Sequence, residues 1–244
     1  MSTPAESDAP KVDVSERGAG GKTSTRRLYV QLQAFTGAPD PKPLAAAIEA
    51  SGVEAVLYAD VNDPRGVAVL AFGEDAAALF SGLRELLNAE PFAALTHRPE
   101  LTMLGRTYAS GHEPDLDDWL LHRPRRTVLN AAWPWGIWYP LRRSGAFARL
   151  TAAEQGTILR EHGAIGRAYG EADLAHDVRL ACHGLDQRDN DFVIGLVGRE
   201  LQPLSHIVHA MRATTQTAQY IERLGPFFVG HVAWQSRPIQ GSAA

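Results

Sequence analysis

Apolar and polar residues alternate along "LYVQLQAF" (residues 28–35), with Leu28, Val30, Leu32 and Ala34 on one side and Tyr29, Gln31, Gln33 and Phe35 on the other. A period of two predicts a strand. A helix follows over residues 43–51, and "VEAVLYAD" and "GVAVLAF" then flank "VNDPRG", whose Asn, Asp, Pro and Gly content predicts a hairpin turn. A helix over residues 75–89 and a strand "LTMLGRTY" complete a first set in the order β-α-β-β-α-β.

After the polar stretch "SGHEPDLDD" the order repeats. A strand ends in "GIWYPL", a helix runs from about Thr151 to Tyr169, "DVRLACHG" pairs with "DFVIGLV", a long helix spans 204–223, and "PFFVGHVAW" is the last strand. Twice β-α-β-β-α-β predicts an α+β fold of tandem ferredoxin-like repeats, two sheets forming a barrel or sandwich with helices outside. The halves share a pattern and not their letters. The expected organisation is a disordered tail over 1–25, an N-terminal ferredoxin-like domain over 26–112, a linker over 113–126, a C-terminal ferredoxin-like domain over 127–238 and a tail over 239–244.

Composition narrows the function classes. With 24 Lys+Arg against 28 Asp+Glu, the net charge of -4 argues against nucleic acid as the main partner. Short basic runs at Arg123, Arg125, Arg126 and at Arg142, Arg143 suit a small anion better than a duplex. The one cysteine, Cys182, excludes an intrachain disulfide framework and any multi-cysteine metal site, and fits a reducing, cytoplasmic setting. No apolar run approaches the ~18 residues of a membrane span.

The helix "TAAEQGTILREHGAIGRAY" draws attention. Thr151 and Glu154 form a capping-box pattern, Gly170 is a plausible stop, and Ile158, Leu159, His162, Ile165 and Tyr169 share one face. His162 therefore points inward, between Gly163 and Gly166, and two interior glycines cost a helix about 2 kcal/mol relative to alanine. An inward histidine is either a core residue bonded to carbonyls or a ligand. Gly166, one turn along on the same face, would leave room for a planar group, and a proximal histidine is one way to hold haem. On "DVRLACHG", alternation sets Val178, Leu180 and Cys182 opposite Arg179, Ala181 and His183. Arg179 is read either as a salt-bridge partner of Asp186, Asp189 or Asp191, or as a distal cation above a bound metal.

Other candidates carry weaker signals. His183, His206 and His209 are ligands or surface residues, and Trp133, Trp135 and Trp138 line a ligand site or fill the core.

"WYPLRRSGAFARLTAAEQGTILREHGAIGRAYG" and "MRATTQTAQYIERLGPFFVG" resemble the chlorite dismutase superfamily, which includes the coproheme decarboxylases; the likeness covers residues 125–235 best. It implies an iron porphyrin (coproheme or haem b) with His162 as iron ligand, Tyr139 at the position of a redox tyrosine, and Arg143 near a propionate. Arg125, by its spacing before Tyr139, is a second propionate candidate. It also implies a ring of about five subunits. Arg179 and "CHGLDQRDNDF" look like the chlorite dismutase strand, whose arginine steers an oxyanion, with "EADLAHD" as an insertion before it.

The resemblance points two ways. Chlorite dismutases have an aliphatic residue in place of Tyr139 and tryptophans in place of Phe147 and Ala148, whereas coproheme decarboxylases usually lack the arginine. Tyrosine favours peroxide-dependent oxidative decarboxylation of coproheme to haem b, in which a tyrosyl radical takes a propionate β-hydrogen. The alternatives are conversion of chlorite to chloride and dioxygen, and a tetrapyrrole-binding protein without turnover.

Overall fold

The computed structural model describes residues 12–237. The predicted strand segments form the main strands β1 (Tyr29–Thr36), β2 (Ala55–Asp60), β3 (Val67–Gly73), β4 (Met103–Arg106), β5 (Trp135–Arg143), β6 (His176–Ala181), β7 (Phe192–Gly198) and β8 (Phe228–Gln235). The helices are α1 (Lys42–Ser51), α2 (Ala76–Asn88), α3 (Arg123–Val128), α4 (Ala152–Glu171), α5 (Leu201–Arg212) and α6 (Thr215–Tyr220).

Hydrogen bonding runs β4-β1-β3-β2 in the first half and β6-β7-β5-β8 in the second, all antiparallel. This is the tandem ferredoxin-like arrangement that the repeated pattern predicts. The halves join at both edges. β2 pairs with β8 along most of its length, and β4 meets β6 at Arg106 and Ala181, so the sheet closes into a barrel without long open edges.

Alternation sorts side chains to the two faces of this barrel. Leu32, Val56, Tyr58, Trp138, Leu180 and Phe228 fill its interior, and Leu120 and Leu121, just before α3, enter the same cluster. Outside the first half, Ile48 of α1 and Leu83 of α2 pack on Leu57 and Val69. Outside the second half, Leu204 and Ile207 of α5 pack on Ile137, Tyr139 and Leu196. Each such side chain contributes about 1.5–3 kcal/mol when fully buried.

Four expectations are corrected. Residues 113–126 are not a linker: after "SGHEPDLDD" the chain coils through a helical turn, Asp118–His122, into α3, and its buried leucines complete the barrel core. The residues that composition assigns to a disordered tail include short strands Glu16–Arg17 and Thr23–Ser24, held by an ion pair between Glu16 and Arg106 at 2.7 Å. Residues 1–11 and the expected tail at 239–244 lie outside the described residues. The long helix over 204–223 is two, because the Thr214 side chain accepts from Thr217 N and starts α6 afresh, and Ile221–Leu224 then pairs with β5. Finally, α4 continues past Gly170 to Glu171, and the turn that ends it places Asp173 at φ 55°.

The filled interior has a testable consequence. Gly195 lies opposite Trp138 across β5 and β7, and a Cβ there would sit 2.4 Å from the fully buried indole. Gly195→Ala should lower the unfolding free energy in urea by about 2–3 kcal/mol through overpacking.

Candidate functional site

Strand pairing sets the first wall of the site. Tyr139, Ile194 and Arg179 are direct partners across β5, β7 and β6, so their side chains share one sheet face. Ile137, Leu196 and Asp177 form the next row on that same face, and Leu141 and Phe192 the row on the other side. This is the outer face of the barrel, beneath α4.

The second wall is α4. The predicted capping box is present: Thr151 Oγ1 accepts from Glu154 N, and Glu154 Oε2 accepts from Thr151 N at 2.8 Å. The helix buries none of its side chains. Ile165 and Tyr169 rest against the apolar cluster outside β5, but Leu159 is 41% exposed. Between helix and sheet lie two adjoining chambers of about 920 and 680 Å³, which share His162, Gly163, Arg143, Asp177, Arg179 and Phe192 as lining. Both volumes fall within the range of small-molecule and cofactor sites.

His162 is half-buried and its Nδ1 lies 3.4 Å from Thr214 Oγ1. That hydroxyl donates to Met211 O at 2.8 Å, so its oxygen is left to accept, and Nδ1–H is the donor. Nε2 then carries the lone pair and has no hydrogen-bond partner among the described residues. Burial, with Arg179 and Arg143 close by, holds this imidazole below its usual pKa of 6.5, which keeps it neutral. A neutral imidazole oriented through its other nitrogen is the state in which histidine binds metals.

Of the two glycines, Gly163 provides the opening. A Cβ there would meet nothing within 4 Å, whereas one on Gly166 would touch Met211 Cε at 3.7 Å. Gly166 lines only the smaller chamber and leaves room for α5.

The cations divide into two groups. Arg143 lies over Phe147 and Phe192, at 4.3 and 4.8 Å, and its buried Nε has no hydrogen-bond partner. Burial lowers the pKa of its guanidinium from the usual arginine value, and an acceptor is lacking. Arg179 lines both chambers but forms an ion pair with Asp177 at 2.8 Å, not with Asp186, Asp189 or Asp191. Arg125 is absent from the lining of both chambers, against the expectation. Its guanidinium bonds Glu54 at 3.0 Å and approaches Glu74 at 3.5 Å, because two residues of helical rotation, about 200°, turn it away from Arg123.

Tyr139 lines the smaller chamber and stacks on Phe227 at 4.6 Å. Burial raises the pKa of its phenol, and its hydroxyl has no hydrogen-bond partner among the described residues. Trp133, Trp135 and Trp138 stay out of the chambers. Trp138 is barrel core, Trp133 stacks on His176 at 3.6 Å, and Trp135 meets His231 edge-on. His183 pairs with Asp191, His206 bonds the Tyr169 hydroxyl, and no cluster of three or more metal-type ligands occurs among the described residues. Cys182 is fully buried, with Sγ donating to Asn190 O at 3.1 Å.

A model of the chlorite dismutase family matches residues 63–233. The chain belongs to the chlorite dismutase family. No curated protein sequence matches this family member. Among solved structures it is similar to a haem-binding protein from Thermus thermophilus, with 20% identity, 85% of this chain and 91% of that one covered, and a TM-score of 0.65. It is also similar to the chlorite dismutase of Candidatus Nitrospira defluvii in complex with imidazole, with 13% identity, 86% and 93% covered, and a TM-score of 0.65. At such identities the likeness is one of fold.

Sequence reasoning missed Trp119 and Asp177. Trp119 donates Nε1–H to Tyr108 O at 3.0 Å and lies beneath both Arg123, at 4.4 Å, and Arg179, at 5.2 Å. Asp177 was legible in one respect, since it stands two positions before Arg179 and so on the same strand face. For Gly163, the open space gives a direct test. Gly163→Ala should raise stability by about 0.5–1 kcal/mol in urea unfolding, as expected where a helix has sacrificed propensity for room.

Proposed function

We propose that this family member binds an iron porphyrin on His162 and uses hydrogen peroxide to decarboxylate iron coproporphyrin oxidatively, forming haem b. The observation that carries the reading is Tyr139, a buried oxidisable phenol lining the chamber that His162 also lines. An aliphatic side chain would fill that position equally well and do no redox chemistry.

The residues fit such a group. His162 presents a neutral imidazole with Nε2 unengaged, Gly163 leaves its flank bare, and Arg143 offers a buried Nε in need of an acceptor, which a propionate carboxylate supplies. When bound, the iron porphyrin supplies the oxidising centre that peroxide activates. Tyr139 holds its proton throughout the neutral range, since burial disfavours the phenolate. Its oxidation therefore removes proton and electron together, and the resulting phenoxyl takes a hydrogen atom from a propionate β-carbon. The substrate then gives up one further electron and carbon dioxide, leaving a vinyl group. Per propionate, one peroxide and one proton become two waters.

Arg179 favours a second reading, the conversion of chlorite to chloride and dioxygen, because it is a cation lining both chambers. Against that stands its existing carboxylate partner. A tetrapyrrole carrier without turnover would show porphyrin uptake and no reaction with peroxide.

Ferric coproheme and dilute peroxide, followed by product mass, separate these readings. The expected product has lost carbon dioxide and two hydrogens per reacting propionate, while chlorite releases no dioxygen at an oxygen electrode. His162→Ala should abolish the Soret band of the loaded protein with the fold intact by circular dichroism. Tyr139→Phe should keep the Soret band and stop the loss of mass; normal decarboxylation by that variant would remove the radical role of Tyr139.

A further inference from the structure

Asp177 occupies an unusual place. Its Oδ1 accepts from Arg123 Nη2 at 2.9 Å and its Oδ2 forms an ion pair with Arg179 Nε at 2.8 Å, so a single carboxylate joins two cations. Both guanidiniums stand over the ring of Trp119, whose own N–H is fixed by the Tyr108 carbonyl. The four side chains come from three separate elements, and Asp177 and Arg179 reach both chambers. Asp177 is 34% exposed and belongs to the "EADLAHD" segment that the family resemblance implies is an insertion.

We infer that Asp177 is a specificity-determining residue, an internal anion that occupies Arg179 and Arg123 so that the chamber accepts a neutral co-substrate and disfavours small anions. An arriving anion must either displace the carboxylate from both guanidiniums or share the space with it, and like charges in a partly desolvated site repel strongly. Hydrogen peroxide is uncharged and meets no such barrier. The arrangement explains how an arginine suited to oxyanions coexists with Tyr139 in one cavity. It rests on the porphyrin-binding reading for the identity of the site, but the charge argument concerns protein groups alone.

The test compares an anionic and a neutral ligand. Wild-type protein and Asp177→Asn, each loaded with ferric haem b, are titrated with fluoride and with imidazole, and binding is read from the Soret shift. Asp177→Asn should tighten fluoride about tenfold or more by removing the competing charge, with imidazole unchanged. The gain should disappear in Asp177→Asn/Arg179→Gln. Unchanged fluoride affinity, or parallel changes for both ligands, would overturn the inference, the second outcome indicating a general loosening of the pocket. Absence of any Soret band in the wild type would sink the porphyrin reading instead. The charge argument is then decided on the ligand-free protein by calorimetric titration with nitrite, which should bind Asp177→Asn more tightly than wild type; equal binding refutes it.

Discussion

A helix of 20 residues that buries none of its side chains cannot be secured by apolar packing alone. The structure solves this with polar anchors. The capping box fixes the start of α4, and Gln155 donates to the Phe147 and Leu150 carbonyls. Glu161 accepts from Thr215 N at 3.0 Å, and His162 bonds Thr214. Two adjacent residues of α4 thus grip the turn where α6 begins. The apolar contacts of Ile165 and Tyr169 are confined to the C-terminal half, and the middle of the helix, at Leu159, His162, Gly163 and Arg167, lines both chambers. The space between helix and sheet depends on these bonds, and so does the orientation of the imidazole.

The charge distribution follows the same division between global and local. A chain with net charge -4 concentrates Arg123, Arg143, Arg160, Arg167 and Arg179 around the larger chamber, against Asp177 and Glu113. Glu113 is turned inward to its own loop, accepting from the Ser110 hydroxyl and from the backbone N–H groups of Ser110, Gly111 and His112, and against the opposing effect of burial the Ser110 hydroxyl above all holds its carboxyl below the usual range. The surplus is therefore cationic where water is partly excluded and each charge counts for more. Such a field suits a ligand with several carboxylates.

Much of this was legible from residue spacing. Alternation and turn-bounded apolar runs located the main strands, and the face shared by Ile158, Leu159, His162, Ile165 and Tyr169 oriented α4, because strands and helices place side chains at fixed backbone periods. What failed did so where tertiary structure decides. Arg123 and Arg125, two positions apart on α3, point in directions about 200° apart, so Arg123 reaches the chamber while Arg125 turns to Glu54, and spacing alone does not tell which of them faces it. The polar letters of "SGHEPDLDD" concealed the leucines that follow them into the barrel. The break before α6 was hidden because Thr214 interrupts an otherwise periodic run, and a threonine caps a helix only where the backbone beside it is already extended. Trp119 could be joined to Arg179 only by the fold.

The sealed thiol of Cys182 bears on how the protein would withstand the proposed peroxide chemistry. Burial, with Asp186 and Asp191 nearby, pushes its pKa up to about 12, and sulfur reacts with oxidants chiefly as the thiolate. At neutral pH this sulfur stays protonated, tucked behind the strand that carries Arg179. Sulfenic acid formation, the first rung of oxidative damage to cysteine, is thereby suppressed at the chain's only such residue. Oxidative wear would fall instead on the aromatic rings and thioethers around the chambers, Tyr108, Trp119 and Met211 among them.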